Sequence, residues 1–235
     1  MSKDVILFSG GMDCLIGWYY VDKPKAVYFN LNHRYKWKEL ESIKKLRMLN
    51  PEIIIETNEM FDLAKYEHED AHIPFRNRLL VMGAAMAYPE AEKIYLVAQK
   101  GEQSIPDRSP EFFEDMSALV SKEMERKIEI VNPFPHMTKV TMVEWFMKRV
   151  KREDLLKASV GCFDGGSVMH CGACGSCFRR SVAFAANGLE LDSMWSDITK
   201  WKGIPEYIKN MQAGKYELER TEQTLKVLRD WGYEV

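Results

Sequence analysis

Four cysteines toward the C-terminal side of this 235-residue chain, Cys162, Cys171, Cys174 and Cys177, follow the spacing C-x8-C-x2-C-x2-C. Gly165, Gly166, Gly172 and Gly175 let the backbone fold back around the sulfurs, and four thiolates can close a tetrahedral zinc site with no position left for an activated water. The chemistry expected is therefore structural; an iron–sulfur cluster and free or redox-active thiols are the alternatives. The fifth cysteine, Cys14, ends 9-SGGMDC-14. Here Gly10 and Gly11 permit a sharp turn and a close approach to a ligand, and successive amides at the start of a helix can aim donors at phosphate. Ser9 could add a hydroxyl and Asp13 could hold a magnesium-bound water. The stretch matches neither GxGxxG nor GxxxxGK[ST], so a tight strand-to-helix turn without a ligand is the competing reading. For Cys14 itself the readings are a small loop-facing residue, a core residue, or a nucleophile activated by a helix N-terminus.

Other polar residues stand where strands give way to loops. Arg76 and Asn77 in 73-IPFRNRLLVMG-83 can bind phosphate, carboxylate or a nucleotide edge, or else cap a helix. In 105-IPDRSPEFF-113, Asp107 can accept from a guanine-like edge, Arg108 can engage an anion and Phe112 can stack on a flat heterocycle. The alternative is that Asp107 caps a turn, Arg108 pairs with it and the phenylalanines seal the core. Lys139 can neutralise a triphosphate or departing pyrophosphate, or be a solvated helix-start lysine. Glu39 is read as support for the fold or a polar network. The string 68-HEDAH-72 has HExxH spacing, which is a catalytic zinc site only on a continuous helix with a third ligand. Pro74 limits that helix, and ordinary loop histidines are the favoured reading.

The elements that must position these residues alternate. Val5–Phe8, 25–31, Ile53–Ile55, 94–98 and 128–131 read as apolar strands. Helical spacing follows at 12–21, 37–49, 78–88, 111–124, 140–150, 178–188 and 221–232. Alternation of this kind predicts an α/β fold, a mostly parallel sheet with helices on both faces. The stretch 199–210 is expected to be a loop with short turns. Composition agrees with a folded chain, at 46% apolar and 29% charged residues. The net charge of −2, with basic residues dispersed among acidic ones, makes nucleic acid an unlikely direct substrate. No apolar run approaches the roughly 18 residues that cross a bilayer, and no secretory leader is legible, so a cytoplasmic enzyme is the expectation.

The motif SGGMDC resembles the SGGxD(S/T) pyrophosphate loop of the N-type ATP pyrophosphatases. Together with 33-HRYKWKELESI-43, 73-IPFRNRLL-80, 105-IPDRSPEFFEDM-116 and the cysteine set, it resembles the 7-cyano-7-deazaguanine synthase (QueC) family over most of the chain. The resemblance implies one Rossmann-like synthase domain over 1–235 that includes a structural zinc segment at 162–177. It further implies a ligase that uses ATP with Mg2+ and ammonia to convert 7-carboxy-7-deazaguanine, through an adenylated carboxylate and an amide, to the nitrile. Carried over by position, Ser9, Gly10, Gly11, Asp13, Arg76 and Asn77 bind nucleotide, and Ser9, Asp13 and Lys139 assist catalysis. Asp107, Arg108 and Phe112 bind substrate, and the four cysteines hold zinc. Cys14 replaces the family's Ser/Thr, Phe75 a common glycine, and Ser109 follows a missing cysteine. Those departures leave open an amide synthase, a ligase acting on an amine-bearing protein, or a noncatalytic nucleotide-binding protein. A homodimer is also implied.

Overall fold

The computed structural model describes residues 3–59 and 62–235. Five strands, β1 (Val5–Leu7), β2 (Lys25–Asn30), β3 (Ile55–Glu59), β4 (Lys93–Tyr95) and β5 (Glu129–Val131), form one sheet in the order β3-β2-β1-β4-β5. Every pairing in it is parallel. Nine helices surround it among the described residues: α1 (Met12–Tyr20), α2 (Lys36–Leu49), α3 (Arg76–Ala87), α4 (Pro110–Glu123), α5 (Lys139–Arg149), α6 (Glu153–Ala158), α7 (Gly175–Ala186), α8 (Ile204–Gln212) and α9 (Leu218–Asp230).

The two-residue period of the strands sorts the core into two layers. Ile6, Phe8, Ala26, Tyr28 and Tyr95 face one side, where Leu15, Ile16, Leu46, Phe146 and Phe184 of α1, α2, α5 and α7 cover them. Val5, Leu7, Val27, Phe29 and Ile94 face the other, against Val81 and Ala84 of α3 and Phe112 and Met116 of α4. Burial on both faces explains the near-continuous apolar strands, each large side chain contributing about 1.5–3 kcal/mol. A third cluster joins Cys162 and Cys177 to Phe178, Val182, Ile204, Met211, Val227 and Leu228.

Strand order fixes where a ligand can enter. From β1 the chain builds β2 and β3 on one side, then returns to place β4 on the other. Neighbouring connections therefore diverge beyond the carboxyl ends of β1 and β4 and leave a crevice there. The sheet and its two helical layers agree with the sequence expectation, with differences at particular segments. The third strand is Ile55–Glu59 rather than Ile53–Ile55: Ile53 is buried but donates its N–H back to Asn50, and pairing with β2 starts only at Ala26↔Ile55. As an edge strand β3 exposes most of its residues, which is why it carries no apolar pattern. Within 199–210, expected to be irregular, Ile204–Gln212 is a helix with a proline in its first turn and with Ile204 and Met211 buried. The six-residue α6 had no periodic signature. None of the helices is long and apolar enough to cross a membrane among the described residues.

Candidate active site

The segment Ser9–Gly11 sits at the crevice, between the end of β1 and α1. Gly10 has φ +74°, a conformation that disfavours any side chain, and a Cβ there would lie 3.0 Å from Glu39 O and 3.1 Å from Ser42 Oγ. Gly11 is the N-cap of α1 and supplies no side-chain acceptor, so beyond Met12 the first-turn amides of Asp13 and Cys14 are left without a capping side chain. The bend is held from behind: Val160 N–H donates to Gly10 O at 2.9 Å and Met12 N–H to Val160 O at 3.2 Å, as the partners of a parallel bridge. The Ser42 hydroxyl, 2.7 Å from Gly10 O and 3.1 Å from Ala158 O, fastens it to α2.

Cys14 is buried one turn into α1, its thiol donating to Gly11 O at 3.0 Å and lying 3.7 Å from Ser9 Oγ. Burial pushes that thiol up to about 12, and its contact with Ser9 offsets this only partly. It is a neutral donor that shapes the bend, which counts against the nucleophile reading.

In front of the bend lies a cavity of about 290 Å³ lined by Ser9, Gly11, Asp13, Arg76, Asn77, Arg108 and Lys139, among others. Lys139, the first residue of α5, reaches across to Asp13, its Nζ 2.5 and 2.6 Å from the two carboxylate oxygens. Thr138 positions that helix start by accepting from Thr141 N–H. Each charge offsets the other, so an incoming anion meets a lysine without meeting a bare carboxylate. Five basic residues line the cavity (Arg76, Arg108, Lys139, Arg179 and Arg180) against three carboxylates (Asp13, Glu39 and Glu102); with Arg180 paired to Asp192 behind the wall, a small positive excess faces an incoming anion.

Other sequence-predicted residues fall in distinct places. Arg76 starts α3 beside the cavity and donates to Tyr35 Oη at 3.1 Å, while buried Asn77 donates to the Asp107 carbonyl at 3.2 Å. Arg108 lines the cavity but is engaged by Glu102, Nη1 to Oε1 2.6 Å, more closely than by Asp107 at 3.9 Å. Asp107 and Phe112 are not among the lining residues. Phe112 is 1% exposed, packed in the layer between α3 and α4 with the Arg78 guanidinium over its ring; it seals the core and offers no face for stacking. The HExxH reading fails on geometry: 68–72 is a turn closed by His68 N–H to His72 O, with Ala71 at φ +67°, so the two imidazoles do not share a helix face.

Sequence reasoning gave several lining residues no place in the site. Arg179 enters from α7, held by a 2.9 Å bond to Tyr207 Oη. Its signal was the basic pair that follows Phe178 after the last cysteine, but the partner lies in the helix that was expected to be a loop. Gln99 and Glu102 come from the loop after β4. His33 and Glu39 line the wall below β2, buried, with Nε2 3.0 Å from Oε2. Tyr35 packs on His33 with ring centroids 4.1 Å apart, giving that wall an aromatic surface.

The four cysteine sulfurs lie within 4.8 Å of one another, close enough to converge on one tetrahedral ion. Main-chain N–H groups of Cys171, Ala173 and Cys177 point at sulfurs 3.3 to 3.4 Å away, a donor set suited to thiolates. Gly172 is obligatory here: at φ +66°, a Cβ would fall 1.9 Å from Ser196 O. The residues fit a metal, and Cys162, which also lines the cavity, joins the two sites.

The sequence matches the family described as queuosine biosynthesis protein QueC over residues 3–188. It is 26% identical to a 7-cyano-7-deazaguanine synthase of Sulfolobus acidocaldarius, over 80% of this chain and 47% of that protein. It is 36% identical to a Marinomonas protein of the same name, over 49% of this chain and 52% of the relative. Against the Methanococcus vannielii synthase the identity is 28%, covering 80% of this chain and 96% of that one. The chain thus spans about half the length of the first two relatives and nearly all of the third. With its glycine bend at the sheet's switch point and its cysteine quartet beside it, this chain belongs to the QueC family.

Proposed function

We propose that this chain is an ATP-dependent carbon–nitrogen ligase that converts 7-carboxy-7-deazaguanine to 7-cyano-7-deazaguanine with ammonia as nitrogen donor. The observation that carries the reading is the uncapped start of α1 behind Gly10 and Gly11, faced by the Lys139–Asp13 pair across a cavity of triphosphate-binding charge.

The substrate carboxylate attacks the α-phosphorus of ATP, forming an acyl-adenylate and releasing pyrophosphate. Ammonia displaces AMP and loses one of its three protons to give the amide. The amide oxygen is adenylated in turn by a second ATP, releasing a second pyrophosphate, and loss of AMP with the two remaining nitrogen protons gives the nitrile, so each oxygen departs on one AMP. In this scheme the α1 amides and Ser9 bind the β- and γ-phosphates, and Lys139 stabilises charge as pyrophosphate departs. Asp13 is the residue that would hold Mg2+, whose chemistry there is neutralisation of the phosphate oxygens. Arg76 and Asn77 orient the nucleotide end. Arg108, steered by Glu102, meets the deazaguanine side, and Asp107 shapes that wall through its carbonyl. Cys162, Cys171, Cys174 and Cys177 would hold a structural Zn2+, closed to water by its four sulfurs.

Incubating the protein with 7-carboxy-7-deazaguanine, ATP, Mg2+ and ammonia, then resolving products by mass, tests the reading. Nitrile and pyrophosphate are expected together. Product stopping at the amide, transfer to a protein amine, or binding without pyrophosphate release would each replace it with the corresponding narrower activity.

A further inference from the structure

Lys38 is 3% exposed on α2, and its ammonium has no carboxylate within ion-pairing distance among the described residues. A buried ammonium without a counter-charge is costly enough that one must be sought. Its two contacts are the Cys162 sulfur at 3.2 Å and the Met169 carbonyl at 2.6 Å. Four thiolates around a divalent ion carry two net negative charges, and Lys38 is the cation placed against them.

One turn further along the same helix face stands Ser42, whose hydroxyl touches Gly10 O in the phosphate bend and Ala158 O. Residues 158–162 run between these anchors, with Val160 bridging to the bend in the middle. The segment is therefore fastened to α2 at its two ends, by a hydroxyl at Ala158 and by a charge at the metal ligand Cys162. We propose that Lys38 is a positioning residue that retains the metal at the cysteine quartet and, through 158–162, sets the shape of the phosphate bend. Metal occupancy then reaches the nucleotide through one lysine, although the metal touches no substrate. The nucleotide half of this inference rests on the ATP reading of the cavity; the metal half does not.

The test uses the zinc-loaded full chain. Zinc loss to excess EDTA is followed with a chromogenic indicator for wild type, Lys38→Met and Lys38→Arg. Removing an outer-shell partner of a ligand is expected to speed loss roughly tenfold or more in the methionine variant, and the arginine variant, which keeps the charge, should recover most of it. On zinc-replete samples, Lys38→Met should raise the KM for ATP in pyrophosphate release while kcat moves far less. Ser42→Ala should raise that KM without hastening zinc loss, which keeps the second anchor testable if the methionine variant does not fold. Zinc retention in Lys38→Met equal to wild type, or equal loss in the methionine and arginine variants, overturns the role assigned to Lys38. Faster zinc loss with an unaltered KM in both Lys38→Met and Ser42→Ala overturns the link to the bend. Wild-type protein that releases no pyrophosphate would instead sink the ATP reading, and with it the link, while the zinc arm still judges Lys38.

Discussion

The glycine bend, paired with Val160, and the cysteine quartet, which begins at Cys162, share the segment 158–162 yet are built from opposite materials. In the proposed reading the bend would bind with backbone: its donors would be amides, its shape depends on φ at Gly10, and side chains brace it from behind. The quartet binds with four sulfurs, and its backbone serves to orient them. A site made of main chain should tolerate a change of side-chain chemistry, such as Cys14 where the resemblance implies a hydroxyl residue, provided the turn survives. A site made of side chains tolerates changes around it but none in its ligands.

The sharpest way to break that contrast is to remove a ligand. Cys171→Ser should lower bound zinc well below one per chain and destabilise the fold by several kcal/mol, because metal binding in such segments is coupled to folding. Metal content and denaturant unfolding measure it, with Trp201 and Trp231, which pack against Phe178, as local fluorescent reporters. Unchanged zinc stoichiometry would remove Cys171 from the ligand set. Next in size is Asp13→Asn. Loss of the carboxylate that steers Lys139 should cut ATP-dependent pyrophosphate release by about 10²- to 10³-fold with folding intact, the usual effect of deleting one aligned charge. Release at the wild-type rate would take Asp13 out of the mechanism.

The two regions also differed in how much of each was legible. β1, the bend and α1 are contiguous, so an apolar run, two glycines and a helical period could be read in order. The quartet's ligands were equally plain, because spacing alone brings four sulfurs together. What surrounds it was not: α8 owes its helix to burying Ile204 and Met211 against a cluster assembled from residues 162 to 228. Sequence-local patterns hold no information about that burial. Arg179 was invisible for the same reason, since its partner Tyr207 lies on α8. Phe112 was misread because an aromatic next to Asp107 and Arg108 looks like a stacking platform, whereas helical phase turns it onto the sheet. His33 and Glu39 reach the cavity only because β2 and α2 stand next to β1, a matter of strand order.

Two smaller effects sharpen the division. Gly10→Ala adds one methyl group at φ +74° against Glu39 O and Ser42 Oγ, and about 1–2 kcal/mol of backbone strain is expected. Because the strain falls on the bend, the KM for ATP should rise with it; a stability loss with unaltered KM would mean that the bend binds no phosphate. Phe112→Leu should cost about 1 kcal/mol of stability and leave the KM for the deazaguanine acid unchanged, as for a core residue. A selective rise in that KM would restore the stacking role.

The smallest expected effect falls on Cys14, where the two materials meet. Burial pushes its thiol up to about 12 and keeps it neutral, so the thiolate population is negligible at any pH where the enzyme would be assayed. A serine there keeps a donor toward Gly11 O and strengthens it, since a hydroxyl hydrogen-bonds better than a thiol. Cys14→Ser should therefore shift stability by less than about 1 kcal/mol and leave pyrophosphate release within a few-fold of wild type. Peptide mapping of zinc-loaded protein after alkylation at pH 8 should find Cys14 unmodified. Rapid alkylation at that position, or a serine variant that binds ATP normally but does not turn over, would make the sulfur a participant in the chemistry. It would then also refute the claim that this site binds through its main chain.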